Sequence, residues 1–181
     1  MTQPKALAIA AAFAFATTSG VALASDGDAG LTLEQVTALQ DAWGEGIVNI
    51  GKIHTDNGDY RGAATDHINM FYAYGESEVL FKPTLAAEDQ FRGTFDEALS
   101  YFVGGDIAED GGFAIAPYTN VRWENEGTII SGDTAMSMGN YFFTQTDGSE
   151  VKVEYTFGFE QMENGEPKIV LHHSSLPFSA N

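Results

Sequence analysis

The chain of 181 residues contains no cysteine. A thiolate nucleophile, an iron–sulfur cluster and a cysteine-ligated zinc site are therefore excluded. Basic residues are also few: 8 lysine and arginine residues stand against 26 aspartate and glutamate residues, which gives a formal net charge of −18 at pH 7. A surface of this charge repels nucleic acid and anionic lipid, so we predict neither as a partner.

Long hydrophobic runs are lacking as well. The longest, residues 6–16, has about 11 residues, whereas a transmembrane helix needs about 20. The run follows Lys5 and precedes Ala22-Leu23-Ala24, which is the order of the charged, apolar and cleavage regions in a secretory signal. We predict a signal peptide over residues 1–24, one mature domain over residues 25–181, and a periplasmic or secreted location without membrane attachment. A membrane anchor is the alternative.

Helical patterns occupy the first half of the mature chain. Thr32 and Gln35 fit a capping box, and apolar residues then recur at helical spacing as far as Ile50. Two further helices are predicted over residues 60–74 and 88–103, with a short strand at residues 79–82 between them.

The second half has β-type alternation instead. Glycine- and asparagine-containing turns, one of them at residues 124–127, separate the strands. Helices followed by an antiparallel meander predict a single α+β domain, with the helices packed on one face of a strongly curved sheet. The predicted strands are residues 118–124, 134–144, 150–161 and 168–175.

Two adjacent histidines and two serines end the last predicted strand, inside an otherwise apolar run. Because side chains alternate along a strand, His173 and Ser175 share one face with Ile169, and His172 and Ser174 share the other. Polar groups in such a run are costly to bury without partners. One histidine–serine pair could face an inner pocket, and the other a subunit or sheet interface.

Two familiar kinds of site fit this motif poorly. Adjacent histidines on a strand point to opposite faces, so a three-histidine zinc site would need one of them together with both His54 and His67. We identify no metal motif in the sequence. A Ser–His–acid triad has no G-x-S-x-G elbow to support it, and Ser175 on a strand has no evident oxyanion hole.

Further hydroxyl groups come from Thr84 and Tyr101. Pro83 restricts the backbone and therefore the direction of the Thr84 hydroxyl, and Tyr101 lies near the end of the third predicted helix. Together with a histidine and a serine, they would form a hydrogen-bonding cage without formal charge around an apolar pocket. The alternative is structural, with Thr84 as a helix N-cap and Tyr101 as a half-buried helix residue.

Three segments together resemble the iota-class carbonic anhydrases: Phe81–Thr84, Phe95–Asp106 and His172–Ser175. The resemblance covers nearly the whole mature chain. It implies the cone-shaped α+β fold of nuclear-transport-factor-2-like and SnoaL-like proteins and of the calcium/calmodulin-dependent kinase II association domain, a fold that commonly dimerises through its sheet. The implied activity is the reversible hydration of carbon dioxide to bicarbonate.

The same resemblance implies the site residues Thr84, Tyr101, His173 and Ser175. Leu171 stands where the family often has a third histidine, a departure that weakens a histidine–metal cluster. The resemblance implies catalysis without a metal, with manganese or zinc as the open alternative, and carbon dioxide, bicarbonate and a second copy of the chain as partners.

Two other kinds of function remain open on the same fold. One is a non-catalytic module for small-ligand binding or assembly, because a fold does not determine an activity. The other is a different SnoaL-like enzyme, which would need a carboxylate inside the cone. Glu154 and Glu160 alternate with Phe157 and Phe159, and we therefore predict that both carboxylates lie outside.

Overall fold

The computed structural model describes residues 30–179, and the predicted signal peptide, residues 1–24, lies outside the described residues. Helices come first and four long strands follow, as the sequence predicts, with one short strand between the second and third helices. The elements are α1 Leu33–Thr55, α2 Tyr60–Phe71, β1 Leu80–Lys82, α3 Phe95–Val103, a 3₁₀ turn at Phe113–Ile115, β2 Asn120–Ser131, β3 Thr134–Thr144, β4 Glu150–Gln161 and β5 Pro167–Ser175.

The strands form one five-stranded sheet in the order β1-β5-β4-β3-β2. Strands β2 to β5 are antiparallel neighbours, whereas β1 pairs in parallel with β5. The sheet is therefore mixed, which corrects the purely antiparallel prediction at β1. Parallel neighbours need a long connection, and α3 together with the whole meander supplies it here.

Helix α1 covers the inner face of the sheet, which we define as the face that carries Tyr141, Phe157 and His172. The helix begins at the predicted capping box, where Thr32 Oγ1 accepts a hydrogen bond from the Gln35 backbone N–H at 3.2 Å. Trp43 is fully buried at the centre of this packing. Its ring lies 5.9 Å from that of Phe157 and 5.8 Å from that of His172. The core thus joins α1 to the middle of β4 and β5.

Helix α3 begins later than the sequence predicts. It starts at Phe95 rather than Glu88, directly after a capping box in which Glu97 accepts from the Thr94 backbone N–H at 2.9 Å. Residues 83–94 form a loop, in which Phe91 is 65% exposed. The capping box is the stronger start signal, because the apolar spacing upstream of it is not buried against anything.

The turn predicted at residues 124–127 is wrong, because β2 continues through these residues. Its register against β3 shifts between Asn125 and Gly127, so the extra residue there makes a β-bulge rather than a turn. Gly139 permits the close approach, because a Cβ atom on it would lie 2.2 Å from the Glu124 carbonyl oxygen. The chain turns instead after Ser131, where Gly132 has a φ of +58°.

A second bulge lies in β5. Phe159 pairs with Ile169 and Gly158 pairs with Leu171, so Val170 is an extra residue in β5. Gly158 leaves room for it, since a Cβ atom there would lie 2.9 Å from the Leu171 Cβ atom. Beyond the bulge the alternation of faces is reversed. Ile169 and His172 therefore both face the core, although they are three residues apart.

Candidate active site

An inner pocket lies where the loop after β1 and helix α3 meet the inner face of β3, β4 and β5. Its volume is about 70 Å³, which suits a ligand of a few non-hydrogen atoms together with a water molecule. Its walls are mostly aromatic and aliphatic, with a few polar side chains among them. The lining residues are Phe81, Thr84, Leu85, Tyr101, Phe113, Tyr118, Tyr141, Phe143, Val151, Val153, His172, Ser174 and Leu176.

The structure brings Thr84 and Tyr101 together in this pocket, as the sequence predicts. The histidine and serine that join them are His172 and Ser174, which are 2% and 3% exposed. His173 and Ser175 lie on the opposite face of the sheet. The expected placement of His173 and Ser175 in the pocket is therefore wrong by one residue.

The bulge at Val170 is the physical reason for this correction. In a regular strand, the buried Ile169 would place His173 and Ser175 on the inner face with it. The extra residue moves His172 opposite Phe157 and Ser174 opposite Tyr155, which are both buried. Alternation along the strand left both histidine–serine pairs open, and the family resemblance then assigned His173 and Ser175 to the pocket. Gly158 in the partner strand was the available signal, since a glycine inside a strand often marks a bulge.

His172 is held between aromatic rings. The Phe81 ring stacks on the imidazole at a centroid distance of 4.7 Å, and the Phe157 ring meets the imidazole edge-on at a centroid distance of 4.2 Å. Its Nδ1 atom lies 2.8 Å from the Tyr72 hydroxyl, and its Nε2 atom lies 3.4 Å from the Tyr141 hydroxyl. Burial, and after it the neighbouring charge of His173, lower the pKa of His172 well below 6.5. The imidazole is therefore neutral at pH 7.

The hydroxyl groups of the pocket form short contacts of their own. Thr84 Oγ1 donates to Ser174 Oγ at 2.8 Å, and the Tyr101 hydroxyl accepts from the Leu85 backbone N–H at 3.3 Å. Burial raises the pKa of Tyr101 to about 12 and also raises that of Tyr141. Both phenols keep their protons at neutral pH. The pocket thus holds hydrogen-bonding groups and no formal charge.

Arg92 anchors the loop that carries Thr84. Its side chain is fully buried, and Nη2 lies 2.6 Å from Oδ1 of Asp110, whose side chain is 1% exposed. The carboxylate of Glu109 accepts hydrogen bonds from the backbone N–H groups of Ala87, Glu88 and Asp89. These bonds lower the pKa of Glu109. These bonds hold residues 83–94 against the segment after α3. They therefore also fix the position of Thr84 and Leu85, which form part of the pocket wall.

The outer face of the sheet, opposite the inner face, carries the other histidine–serine pair. His173 pairs with Thr156, which in turn pairs with Met138, and Ser175 Oγ donates to Glu154 at 3.1 Å. Glu154 is exposed, as the sequence predicts. Within residues 30–179, no carboxylate lines the inner pocket, which disfavours an enzyme that needs one inside the cone.

The histidines do not converge on one point. His67 is buried against Phe71 at a ring distance of 4.6 Å, and His54 packs on Tyr60 at 4.8 Å. Across the part of the chain that the structure describes, no group of three or more histidine, aspartate or glutamate side chains is placed to hold a metal ion. In the same part of the chain, no helix is both long and apolar enough to span a membrane.

Two carbonic anhydrases are similar to this chain. A metal-independent carbonic anhydrase of Nostoc sp. (strain PCC 7120) is 40% identical over 153 residues, which cover 82% of this chain and 75% of that protein. The crystal structure of a cyanobacterial iota-carbonic anhydrase complexed with bicarbonate is 37% identical. It superposes with a TM-score of 0.81 over 83% of this chain and 95% of the other.

The fold is shared more widely than the sequence. A Xanthomonas campestris protein assigned to the calcium/calmodulin-dependent kinase II association domain superposes with a TM-score of 0.54 at 21% identity, over 84% of this chain and 96% of the other. The two superpositions confirm the predicted α+β fold. The model of the family "metal-independent carbonic anhydrase" matches residues 34–176. The chain belongs to the family of metal-independent carbonic anhydrases.

Proposed function

We propose that this chain catalyses the reversible hydration of carbon dioxide to bicarbonate in the inner pocket, without a metal, and that His172, Ser174, Thr84 and Tyr101 carry the reaction. The observation that carries the proposal is one small apolar cavity in which these four polar side chains meet. Carbon dioxide is an uncharged, weakly polar molecule that fits such walls. The negative net charge of the chain does not hinder its entry and favours the departure of bicarbonate.

The chemistry must proceed without a strong base. Water has a pKa of about 15.7 in bulk, and the buried His172 is a weaker base than an ordinary histidine. Complete removal of a proton before the attack on carbon is therefore too costly. Proton movement must instead accompany the formation of the new C–O bond.

A hydroxyl relay satisfies this requirement. As the water oxygen attacks carbon, one water proton passes to Ser174 Oγ, and Ser174 passes its own proton to an oxygen of carbon dioxide. The product is carbonic acid, which ionises to bicarbonate and a proton on reaching water. Thr84 holds Ser174 at 2.8 Å, while Tyr101 and His172 stand beside the oxygens on which negative charge develops. No group of the pocket gains a net charge.

The first experiment is stopped-flow hydration of carbon dioxide by the protein of residues 25–181. The protein is stripped with a chelator, and its metal content is measured on the same sample. We expect catalysis with far less than one metal ion per chain, and no gain when zinc or manganese is restored. Activity that returns only with one of these metals would contradict the metal-free mechanism. No activity in any sample would leave a ligand-binding module as the better reading.

We also propose that a second copy of the chain covers the outer face. Ile129, Met136 and Met138 are each more than half exposed, and the pairings of Ile129 with Met136 and of Met138 with Thr156 place them on that face. Contiguous exposed apolar side chains are typical of protein interfaces. Sedimentation equilibrium is expected to give a dimer, and Met138→Glu is expected to shift it towards the monomer.

The proposed location is outside the cytoplasm, in the periplasm or beyond the cell. The support is the order of charged, apolar and small residues in positions 1–24, which is typical of a secretory signal. The intact mass of the protein recovered from its native host is expected to correspond to a chain that begins at Ser25.

A further inference from the structure

A buried hydrogen-bonded chain runs from helix α1 to the candidate catalytic histidine. The indole Nε1–H of Trp43 donates to the Tyr72 hydroxyl at 3.1 Å, and the same hydroxyl lies 2.8 Å from His172 Nδ1. The exposed fractions of these three side chains are 0%, 1% and 2%. Water therefore does not compete for these bonds.

The available protons determine which group donates in each of these two hydrogen bonds. The indole N–H of Trp43 can only donate, so the Tyr72 oxygen accepts from it. Burial raises the pKa of Tyr72 well above 10.0, so the phenol keeps its own proton. Among the described residues, His172 Nδ1 is the one acceptor within hydrogen-bond distance of that proton.

The opposite arrangement leaves a buried donor without a partner. If His172 carried its proton on Nδ1 and donated to Tyr72, the tyrosine oxygen would receive two hydrogen bonds and its own O–H would have no acceptor. An unsatisfied buried donor is strongly disfavoured. The hydrogen bond made by one ring nitrogen sets the protonation of the other.

We infer that Trp43 and Tyr72 are positioning residues that hold neutral His172 in the tautomer with its proton on Nε2. His172 then presents an N–H donor, not a base, to the pocket. Its partner there, the Tyr141 hydroxyl, is 3.4 Å away, which is long for a hydrogen bond and leaves the N–H available to an oxygen of carbon dioxide or bicarbonate. This role rests on the proposed function and deepens it.

Nitrogen-15 NMR of the imidazoles tests the tautomer directly, and it does not depend on catalysis. The four histidine signals are assigned with a His172→Gln variant, which removes one of them. We expect His172 to show an unprotonated Nδ1 and a protonated Nε2 from about pH 6 to pH 8. A protonated Nδ1 in the unmodified protein would overturn the inference, even if the protein hydrates carbon dioxide normally.

Tyr72→Phe removes only the hydroxyl that fixes the tautomer. We expect kcat/KM for carbon dioxide hydration to fall about tenfold and the Nδ1 signal of His172 to move to that of a nitrogen without a hydrogen bond. Tyr74→Phe is the matched control, because Tyr74 stacks on Tyr72 at 5.9 Å but donates to the Arg92 carbonyl. An unchanged Nδ1 signal in Tyr72→Phe would contradict the role of Tyr72.

Two amide variants of His172 compare the ring positions. Glutamine can place an N–H near the position of Nε2, whereas asparagine can place one near that of Nδ1. We expect His172→Gln to retain at least threefold more activity than His172→Asn. The reverse order would count against an Nε2 donor. If both variants and the unmodified protein are inactive while the tautomer is as inferred, the proposed function fails and the positioning role stands.

Discussion

Replacing His172 or Ser174 by alanine is expected to lower kcat/KM for carbon dioxide hydration by about 100-fold or more. Both side chains border the small cavity in which the reaction is proposed. Removal of a single preorganised group that stabilises developing charge commonly costs a factor of 10² to 10³ in rate. Stopped-flow assays of each variant, at matched protein concentration, measure the loss.

The neighbouring residues supply the matched controls. His173→Ala and Ser175→Ala make the same chemical changes one residue further along β5, on the outer face. We expect each to keep its rate within about twofold, because neither side chain borders the inner pocket and substitutions away from such features usually change stability by only about 0.5 kcal/mol. Circular dichroism and urea unfolding must show that all four variants are folded. A large loss of rate with His173→Ala and none with His172→Ala would show that His173, and not His172, takes part in the reaction.

Arg92→Ala is expected to lower the free energy of unfolding by about 3–5 kcal/mol, since it leaves a buried carboxylate uncompensated. The side chain of Asp110 is 1% exposed, and its Oδ1 lies 2.6 Å from the Arg92 guanidinium. The variant also loses the hydrogen bond from Nη1 to the Phe91 carbonyl at 3.1 Å. Urea denaturation, analysed by linear extrapolation, gives the change.

A double variant separates the unpaired charge from the lost packing. Arg92→Met combined with Asp110→Leu removes both partners, and we expect it to recover at least half of the stability lost in Arg92→Ala. Arg122→Ala is the exposed control. Arg122 pairs with Glu124 and Glu150 at the surface, where such pairs contribute about 1 kcal/mol or less. A loss of under about 1 kcal/mol in Arg92→Ala would show that the buried pair does not anchor the loop.

Local signals in the sequence were enough for much of the fold. The capping box of Thr32 and Gln35 and the apolar spacing after it predicted the start and the buried face of α1, because these depend on neighbours within a few residues. The order of helices before strands predicted the α+β class. Thr84 and Tyr101 were placed in the pocket from their residue types and from a family resemblance, and both line it.

Other features depended on contacts between distant segments. Residues 88–94, which were predicted as helix, form a loop that is held by the Arg92–Asp110 ion pair and by hydrogen bonds from its backbone N–H groups to Glu109. The parallel pairing of β1 with β5 joins segments far apart in the chain. Neither contact has a local signature, so the sequence left the sheet antiparallel. The start of α3 does have one, the capping box of Thr94 and Glu97, and the helix was predicted to start too early because apolar spacing was given more weight.

The sequence by itself determined that the chain has no thiol chemistry and that its fold is α+β, and it predicted an uncharged candidate site formed by a histidine–serine pair with two further hydroxyl groups. Only the tertiary structure decided which pair lines the inner pocket. The bulge at Val170 exists because Gly158 in the partner strand leaves room for an extra residue. That one residue reverses the faces of β5 beyond it and turns His172 and Ser174, rather than His173 and Ser175, towards the pocket.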